Sequence, residues 1–337
     1  MRKFCLQMIG EGSARTWLES HRARPIMSGP PECRVKSIVC LLLLVTAASA
    51  QMPAKQQALW QKLDATVHDV DRDLDGVLGV AIEDLTSGRT LFSLPDEVFP
   101  QASAIKVCLL AELYHQAQQG KLKLTDTYVV QKSDLVPDSD IMNGLTPDVT
   151  RITLRDLATM MIAVSDNSAA NVLIDRVGME NVNALMDSLG LTHTRLRRKM
   201  MDLKAASEGR ENVSTPREMM TLLEALYRGK VLNKEMTDDF FLMLSTHKIT
   251  SMRRYLPEGL RVANKDGELE GVRNDSGVVL VQNRPYILCV MTTYLRHEPD
   301  GEEAISKISL AAYRMFDRLA RASEYGRVVS PGNSSKP

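Results

Sequence analysis

The chain has 337 residues, 42 Lys plus Arg against 42 Asp plus Glu, and a formal net charge of zero at pH 7. A balanced charge provides no net field to attract nucleic acid or an anionic membrane surface, so neither is expected as a partner. The sequence has no paired His or Cys spacing typical of a metal site, no glycine-rich dinucleotide loop and no G-x-S-x-G turn. These features argue against a zinc hydrolase and an α/β-hydrolase, and no metal and no cofactor are expected.

The N-terminus has the pattern of an export signal. Arg34 and Lys36 precede an apolar run over residues 37–47, and a small-x-small sequence ends at Ala50. The apolar run is too short to cross a membrane comfortably, which takes about 20 residues. We therefore predict a leader and signal peptide over residues 1–50, cleavage after Ala50, no membrane span after cleavage, and a periplasmic or secreted mature protein. An uncleaved anchor is the alternative.

In the remaining chain, strand-like alternation of apolar and polar residues comes first, a helical pattern follows, and strand-like alternation then returns. The pattern predicts a helix over 54–70, strands over 76–84 and 89–93, a mainly helical middle with loops at 134–151 and 195–215, strands over 260–265, 276–282 and 286–294, and a final helix over 301–321.

Strands from both ends of such a chain can join one antiparallel sheet. We therefore predict an α/β (α+β) fold in which this sheet is flanked by the N- and C-terminal helices and carries an inserted all-helical lobe. The α/β lobe comprises 54–100 and 250–322, the helical lobe 103–248, within a domain over 51–325 that precedes a flexible tail over 326–337. The cleft between the lobes is the expected ligand site.

Ser103 and Lys106 begin the run of helix formers that extends to about Gln118. Residues three apart share a helix face, which brings the lysine amine toward the serine hydroxyl at a helix N-terminus. That arrangement suits an activated nucleophile. The alternative is a helix-capping serine followed by a solvated lysine, and Ser245 and Lys248 have the same spacing.

Two further motifs follow Ser103 in an informative order. Ser165-Asp166-Asn167 precedes a helical pattern, and Lys265-Asp266-Gly267 lies beside a predicted strand. Ser-x-x-Lys, Ser-Asp-Asn and Lys-Thr-Gly, in that order, mark class A β-lactamases and penicillin-binding proteins. Because Ser165 precedes Ser245, the order selects Ser103 as the first element.

The resemblance extends over residues 54–322. Segments 189–198, 214–219 and 271–275, and Phe99-Pro100 before the first motif, are similar to class A enzymes as well. The chain is identified as a member of the class A β-lactamase-like serine hydrolases.

The resemblance implies that Ser103 attacks an acyl carbonyl and becomes an acyl-enzyme, while Lys106 accepts or organises its proton. Ser165 would pass a proton to the departing nitrogen, and Asn167 would hold the substrate's side-chain carbonyl. The backbone N–H groups of Ser103 and Glu268 would form an oxyanion hole. An ordinary helix cap is the alternative for Ser165 and Asn167.

Lys265 and Arg273 resemble the cations that meet the substrate carboxylate, and Gly267 is needed where the backbone approaches the ligand. Two solvated strand charges are the alternative. Asp166 is expected to be structural. Asp266 replaces the hydroxyl residue of the family, and like charges about 4 Å apart cost roughly 4 kcal/mol at an intermediate dielectric. Unless Lys265 and Arg273 neutralise this carboxylate, acidic substrates are therefore expected to bind weakly.

The second departure concerns the residue that activates the deacylating water. Met200 stands where the family has a glutamate, and Lys204 replaces its partner asparagine. A thioether cannot accept a proton, and losing a positioned general base costs about 10²- to 10⁴-fold. Deacylation is expected to be slow unless Asp202 or Glu208 substitutes.

A smaller departure lies in the same loop. Asn212 stands where an acidic residue normally pairs with Arg198, so the loop is expected to be held differently. Outside this region, Cys108 and Cys289 lie in apolar runs and are interpreted as two buried thiols, with a disulfide as the alternative.

Three functions follow from these patterns. The first is a secreted serine hydrolase acting on the amide bond of β-lactams or related acyl substrates, with slow deacylation. The second is a penicillin-binding or D-Ala-D-Ala peptidase-like protein with a long-lived acyl-enzyme, and the third is a non-catalytic binding module. The expected partner is a small acyl compound, a β-lactam or a cell-wall peptide, and the protein is expected to be a monomer.

Overall fold

A computed structural model describes residues 53–323 and 325–327. The predicted leader over 1–50 and nearly all of the predicted tail over 326–337 lie outside these residues. Within the described part, no helix is both long and apolar enough to cross a membrane.

The described part contains nine α-helices: α1 Ala54–Asp73, α2 Lys106–Gln118, α3 Leu154–Ala163, α4 Asn167–Val177, α5 Met179–Ser188, α6 Leu203–Ser207, α7 Pro216–Tyr227, α8 Lys234–Leu244 and α9 Glu298–Arg321. It contains nine strands: β1 Val77–Asp84, β2 Thr90–Ser93, β3 Phe99–Pro100, β4 Thr127–Val129, β5 Arg151–Thr153, β6 Val213–Ser214, β7 Val262–Leu269, β8 Val272–Val279 and β9 Tyr286–Thr293.

The central sheet has five antiparallel strands in the order β2-β1-β9-β8-β7, so strands from both ends of the chain meet as predicted. Alternate residues of β9 face opposite sides of the sheet. Tyr286, Leu288 and Val290 pack in the cluster with α1 and α9, whereas Ile287 and Met291 join the cluster that contains α2. The fold class is therefore confirmed, with both faces of the sheet covered.

Helices α1 and α9 pack together on the outer face of the sheet because aromatic side chains interlock there. The rings of Trp60 and Phe316 meet edge to face with centroids 5.7 Å apart, and Tyr286 stacks on Phe316 at 4.2 Å. These contacts join α1 to α9 and α9 to β9.

The mainly helical segment over residues 103–248 is built around α2, whose residues are buried almost throughout. The structure adds two short strand pairs that the helical pattern did not predict. Strands β4 and β5 pair within this segment, and β6 pairs with β3 just before the nucleophile segment.

Strands β7 and β8 differ most from their predicted bounds. The prediction ended the first at Lys265 and began the second at Ser276, whereas the strands run to Leu269 and from Val272. A tight turn at Gly271, whose φ is 67°, lets both strands continue toward each other. Polar residues in this stretch hid the strand pattern, and the extension places the third motif within an edge strand.

Cys108 in α2 and Cys289 in β9 are buried, free thiols, as predicted. Burial raises the pKa of each thiol to about 12, so neither is poised to react as a thiolate near neutral pH.

Candidate active site

Ser103 lies in a 3₁₀ turn over Ala102–Ile105, immediately before α2, rather than in the first turn of the α-helix itself. Ala102 adopts a positive φ of 49°, an unusual conformation for a residue with a Cβ. This backbone presents the half-buried Ser103 to a cleft, and Lys106 follows as the first residue of α2.

Lys106 lies at the centre of the site and is completely buried. Its Nζ is 3.1 Å from Ser103 Oγ and 3.1 Å from Ser165 Oγ. It also donates to the backbone oxygen of Ser165 at 2.5 Å and to Asn167 Oδ1 at 2.8 Å. The first two motifs therefore meet at one amine.

The protonation state of this amine follows from its surroundings. Burial, together with the positive charge of Lys265, lowers the pKa of Lys106 well below its usual 10.5. A neutral amine has two N–H donors and one lone pair. Its two N–H groups match the carbonyl of Ser165 and the amide oxygen of Asn167, which leaves the lone pair for a serine hydroxyl. The geometry thus suits proton removal from Ser103.

Asp166 holds the second motif in place, as expected for a structural residue. Its carboxylate accepts from the N–H of Ala169 at the start of α4, and from the N–H groups of Ile141 and Met142 in the neighbouring loop. Ser165 adopts a positive φ of 59°. The fully buried Asp166 therefore fixes the turn from which Ser165 and Asn167 project.

The third motif lies on β7 against the turn of Ser103. A Cβ added at Gly267 would be 2.4 Å from the oxygen of Gln101 and 2.8 Å from the nitrogen of Ala104. Only glycine allows this approach. Glu268 is exposed and lines the cleft. Since β7 is an edge strand, its outward N–H groups are free of a neighbouring strand.

Lys265 has a different partner from the predicted substrate carboxylate. Its side chain is 1% exposed, and its Nζ donates to Asp266 Oδ1 at 2.7 Å and to the Asp266 backbone oxygen at 2.9 Å. Burial opposes ionisation of Asp266, but the charge and the hydrogen bond of Lys265, together with a backbone hydrogen bond and the charge of Lys248, outweigh burial and lower the pKa of that carboxyl. The Lys265 ammonium, which was predicted to bind a substrate carboxylate, is thus neutralised by a carboxylate of the protein itself.

Arg273 lies apart from the other predicted site residues. Its guanidinium contacts Glu302 of α9 at 3.1 Å and donates to the backbone oxygens of Leu269 and Val272. It is not among the residues that line the cleft. These contacts hold the end of the β7–β8 hairpin against α9.

Met200 lines the cleft with a side chain that is 6% exposed. Asn171, one turn after Asn167 on α4, accepts from the Met200 N–H at 2.8 Å and donates to its carbonyl at 3.0 Å. Asn171 was not predicted as a site residue, although its helical spacing of four residues from Asn167 was a signal for it. The loop therefore places Met200 in the lining of the same cleft as Ser103 and Ser165.

The loop over 195–215 is held without the usual acidic partner at position 212. Arg198 pairs with Glu211 at 2.9 Å. Asn212 accepts from the N–H groups of Arg197 and Arg198 and donates to the carbonyl of Arg198. The loop is therefore held by Glu211, which pairs with the arginine, and by Asn212, which binds backbone groups.

The alternative bases named from sequence are engaged elsewhere. Asp202 caps α6 by accepting from Ala205, and Glu208 pairs with Arg210. Neither lines the cleft. No group of three metal-ligating side chains could hold a metal ion within the described residues.

The cleft has a volume of about 550 Å³ and brings together residues of all three motifs and the loop. Its lining includes Asp138 and Asp140, which lie in a predicted loop for which the sequence indicated no role. Four of the eight non-glycine residues with positive φ in the described part line it, namely Ala102, Asp138, Ser165 and Met201. Such conformations cost about 1–3 kcal/mol each and concentrate at functional sites.

Comparison with known proteins agrees with this geometry. The family model described as "Beta-lactamase enzyme family" matches residues 58–316. The chain is 29% identical over 260 residues to β-lactamase SME-1 of Serratia marcescens, covering 74% of this chain and 88% of that protein.

Two solved structures are similar throughout the domain. An ancestral class A β-lactamase matches with a TM-score of 0.70 and 29% identity, covering 75% of this chain and all of the other. A mutant of PBP-A, solved as an acyl-enzyme complex with penicillin G, matches with a TM-score of 0.70 and 26% identity, covering 78% and 97%. The chain belongs to the β-lactamase enzyme family and is a class A β-lactamase-like serine hydrolase.

Proposed function

We propose that this protein opens the amide bond of β-lactams or related acyl substrates through a covalent acyl-enzyme on Ser103, and that it releases the acyl group slowly. The single observation that carries the proposal is the position of Lys106 Nζ, 3.1 Å from Ser103 Oγ and from Ser165 Oγ. One buried amine contacts both the nucleophile and the residue that would protonate the leaving nitrogen.

In the acylation step, the Ser103 oxygen attacks the carbonyl carbon as its proton moves to Lys106. The backbone N–H groups of Ser103 and Glu268 would stabilise the oxyanion, and each such donor contributes about 2.7–4 kcal/mol. Ser165 would relay the proton to the departing nitrogen as the C–N bond breaks. Asn167 is proposed to bind the side-chain carbonyl of the acyl group.

Slow release is proposed because no carboxylate occupies the position of Met200. The residue lines the cleft, but its sulfur cannot take a proton from an attacking water. The same observation favours a second candidate function, a peptidase-like protein that keeps a long-lived acyl-enzyme with cell-wall peptides or antibiotics.

Intact-mass spectrometry combined with a chromogenic cephalosporin assay tests the proposal. We expect a stoichiometric adduct on Ser103 that disappears slowly, with Ser103→Ala as the matched control that forms none. Steady turnover without accumulation would contradict slow release. A persistent adduct supports the second candidate, and no adduct together with no turnover would leave a binding module.

We also propose that the protein is exported, cleaved after Ala50, and active as a monomer. The apolar run over 37–47 and the small residues that follow it support export. N-terminal sequencing of the mature protein should begin near Gln51, and light scattering should give the mass of one chain. Retention of residues 1–50 in the mature protein would contradict processing.

A further inference from the structure

We infer that the cleft selects acyl donors that carry an amide or an amine where β-lactams carry a carboxylate. This inference rests on the proposed acyl transfer to Ser103 and adds a substrate class to it. Three observations carry it: a lysine that is already paired with a carboxylate, two arginines that are paired with glutamates, and an acidic rim of exposed carboxylates that line the cleft.

Lys265 provides the first observation. The buried ammonium of Lys265 would attract a substrate carboxylate only if its charge were free. Here Asp266 Oδ1 lies 2.7 Å from Lys265 Nζ, and the Asp266 carbonyl takes a second N–H. Asp266 itself belongs to the cleft lining, so a carboxylate already occupies this position.

The arginines provide the second observation. Arg198 lines the cleft, but its guanidinium bonds Glu211 and the carbonyl of Lys199. Arg273 bonds Glu302 and lies outside the lining. Both cations are committed to protein partners and offer no free charge to an anionic substrate.

The acidic rim provides the third observation. Asp138, Asp140 and Glu268 are exposed and line the same cleft. Among the residues that the structure describes, 53–323 and 325–327, none pairs its charge with that of any of these three carboxylates. A charged substrate that approaches the cleft therefore meets three carboxylates without an ion-pair partner in the lining that also contains Ser103, and their field repels anions and attracts cations.

A set of three matched penicillins tests the inference. One carries the free carboxylate, the second its primary amide, which is nearly isosteric, and the third an aminoethyl amide with a positive charge. We expect the second-order rate of Ser103 acylation, measured by intact mass, to rise by about tenfold at each step from anion to neutral to cation.

Ionic strength gives an independent readout. Raising salt from about 0.01 M to about 1 M shortens the screening length from roughly 30 Å to 3 Å. Acylation by the carboxylate should become faster and acylation by the cation slower, while the neutral amide stays nearly constant. Opposite or absent salt effects would overturn the inference.

Asp266→Asn removes the internal partner of Lys265 and should increase acylation by the carboxylate about tenfold while slowing the cation. Asp140→Asn, at an exposed position, should change the rates in the same direction and remains informative if Asp266→Asn does not fold. Asp187→Asn removes an exposed partner of Arg195 outside the cleft and should change none of the three rates.

The outcomes separate this inference from the proposed function. If none of the three compounds acylates Ser103, the proposed function fails and the inference fails with it. If all three acylate Ser103 and the carboxylate reacts as fast as the amide or faster, the proposed function stands and the substrate class is wrong.

Discussion

Asn171 holds Met200 through both of its backbone groups, accepting from the Met200 N–H at 2.8 Å and donating to the Met200 carbonyl at 3.0 Å. The asparagine is buried on α4, the same helix that begins with Asn167. The backbone at position 200 is therefore fixed relative to the Ser-Asp-Asn motif, in the lining of the cleft.

Met200→Glu should consequently place a carboxylate where it can activate water. We expect release of the acyl group to speed up by about 10²-fold or more, toward the 10²- to 10⁴-fold typical of a general base. The decay of the Ser103 adduct, followed by intact mass after removal of excess substrate, measures this rate.

Two controls separate a general base from a loosened loop. The side chain introduced by Met200→Gln has nearly the same shape as that of the Glu variant but cannot take a proton from water. Leu203→Glu instead adds a carboxylate at an exposed position of the same cleft. Neither should accelerate release. Equal release by the Gln and Glu variants would show that the loop, rather than the carboxylate, governs the rate.

The pH dependence of acylation should report the state of Lys106. Because burial and Lys265 lower its pKa, the amine is neutral and able to accept the Ser103 proton at pH values well below 10.5. Acylation should be constant above this depressed pKa and decline as the pH falls through it. Single-turnover acylation across a pH series checks the prediction.

Lys106→Arg is the informative companion variant, because a guanidinium stays charged at every accessible pH. Above the depressed pKa of Lys106 it should acylate about 10²- to 10⁴-fold more slowly than the wild type, and its rate should show no decline as the pH falls through that pKa. A wild-type profile that keeps rising up to the ordinary lysine pKa would contradict a buried, neutral amine.

The fold and the core of the site could be predicted because local patterns encode them. The spacing of Ser103 and Lys106 and the turn at Asp166 depend on residues near one another in sequence. Their convergence at Lys106 Nζ is implied by the resemblance to class A β-lactamases, which the three motifs in that order carry. The five-stranded sheet likewise follows from alternation at both ends of the chain.

Side-chain partners at the third motif could not be predicted in the same way. Lys265 can reach either a substrate or Asp266, and only the packing of β7 decides between them. Arg273 pairs with Glu302 of α9, a helix that follows the last strand of the sheet and lies far from Arg273 in the sequence. Asp138 and Asp140 reach the cleft because Asp166 anchors their loop, a contact between distant residues that no local pattern contains.

Gly267→Ala tests the close approach of β7 to the nucleophile turn. The new methyl group would lie 2.4 Å from the oxygen of Gln101 and 2.8 Å from the nitrogen of Ala104, both of them backbone atoms. Either the strand or the turn of Ser103 must shift, and a displacement of about 1 Å can cost 10²-fold in rate. We expect acylation, measured by intact mass in single-turnover conditions, to slow by about that factor.

Gly144→Ala is the matched control for this substitution. A Cβ at Gly144 meets no atom within 4 Å, and its φ is not positive, so acylation should be unchanged. Normal acylation by Gly267→Ala would mean that β7 does not position the oxyanion site.

Asn212→Ala should destabilise the domain, because one side chain satisfies three backbone groups of the loop over 195–215. Asn212 is 2% exposed, accepts from the N–H groups of Arg197 and Arg198, and donates to the carbonyl of Arg198. Leaving such groups unsatisfied costs about 1–3 kcal/mol each, reduced where water enters, so we expect a loss of about 2–4 kcal/mol in the free energy of unfolding. Urea unfolding measures this loss.

Asn143→Ala is the control for this substitution. The exposed side chain of Asn143 donates one hydrogen bond to the carbonyl of Val136, so its removal should change stability by about 0.5 kcal/mol or less. Faster acyl release without a change in stability would assign Asn212 to catalysis rather than to holding the loop.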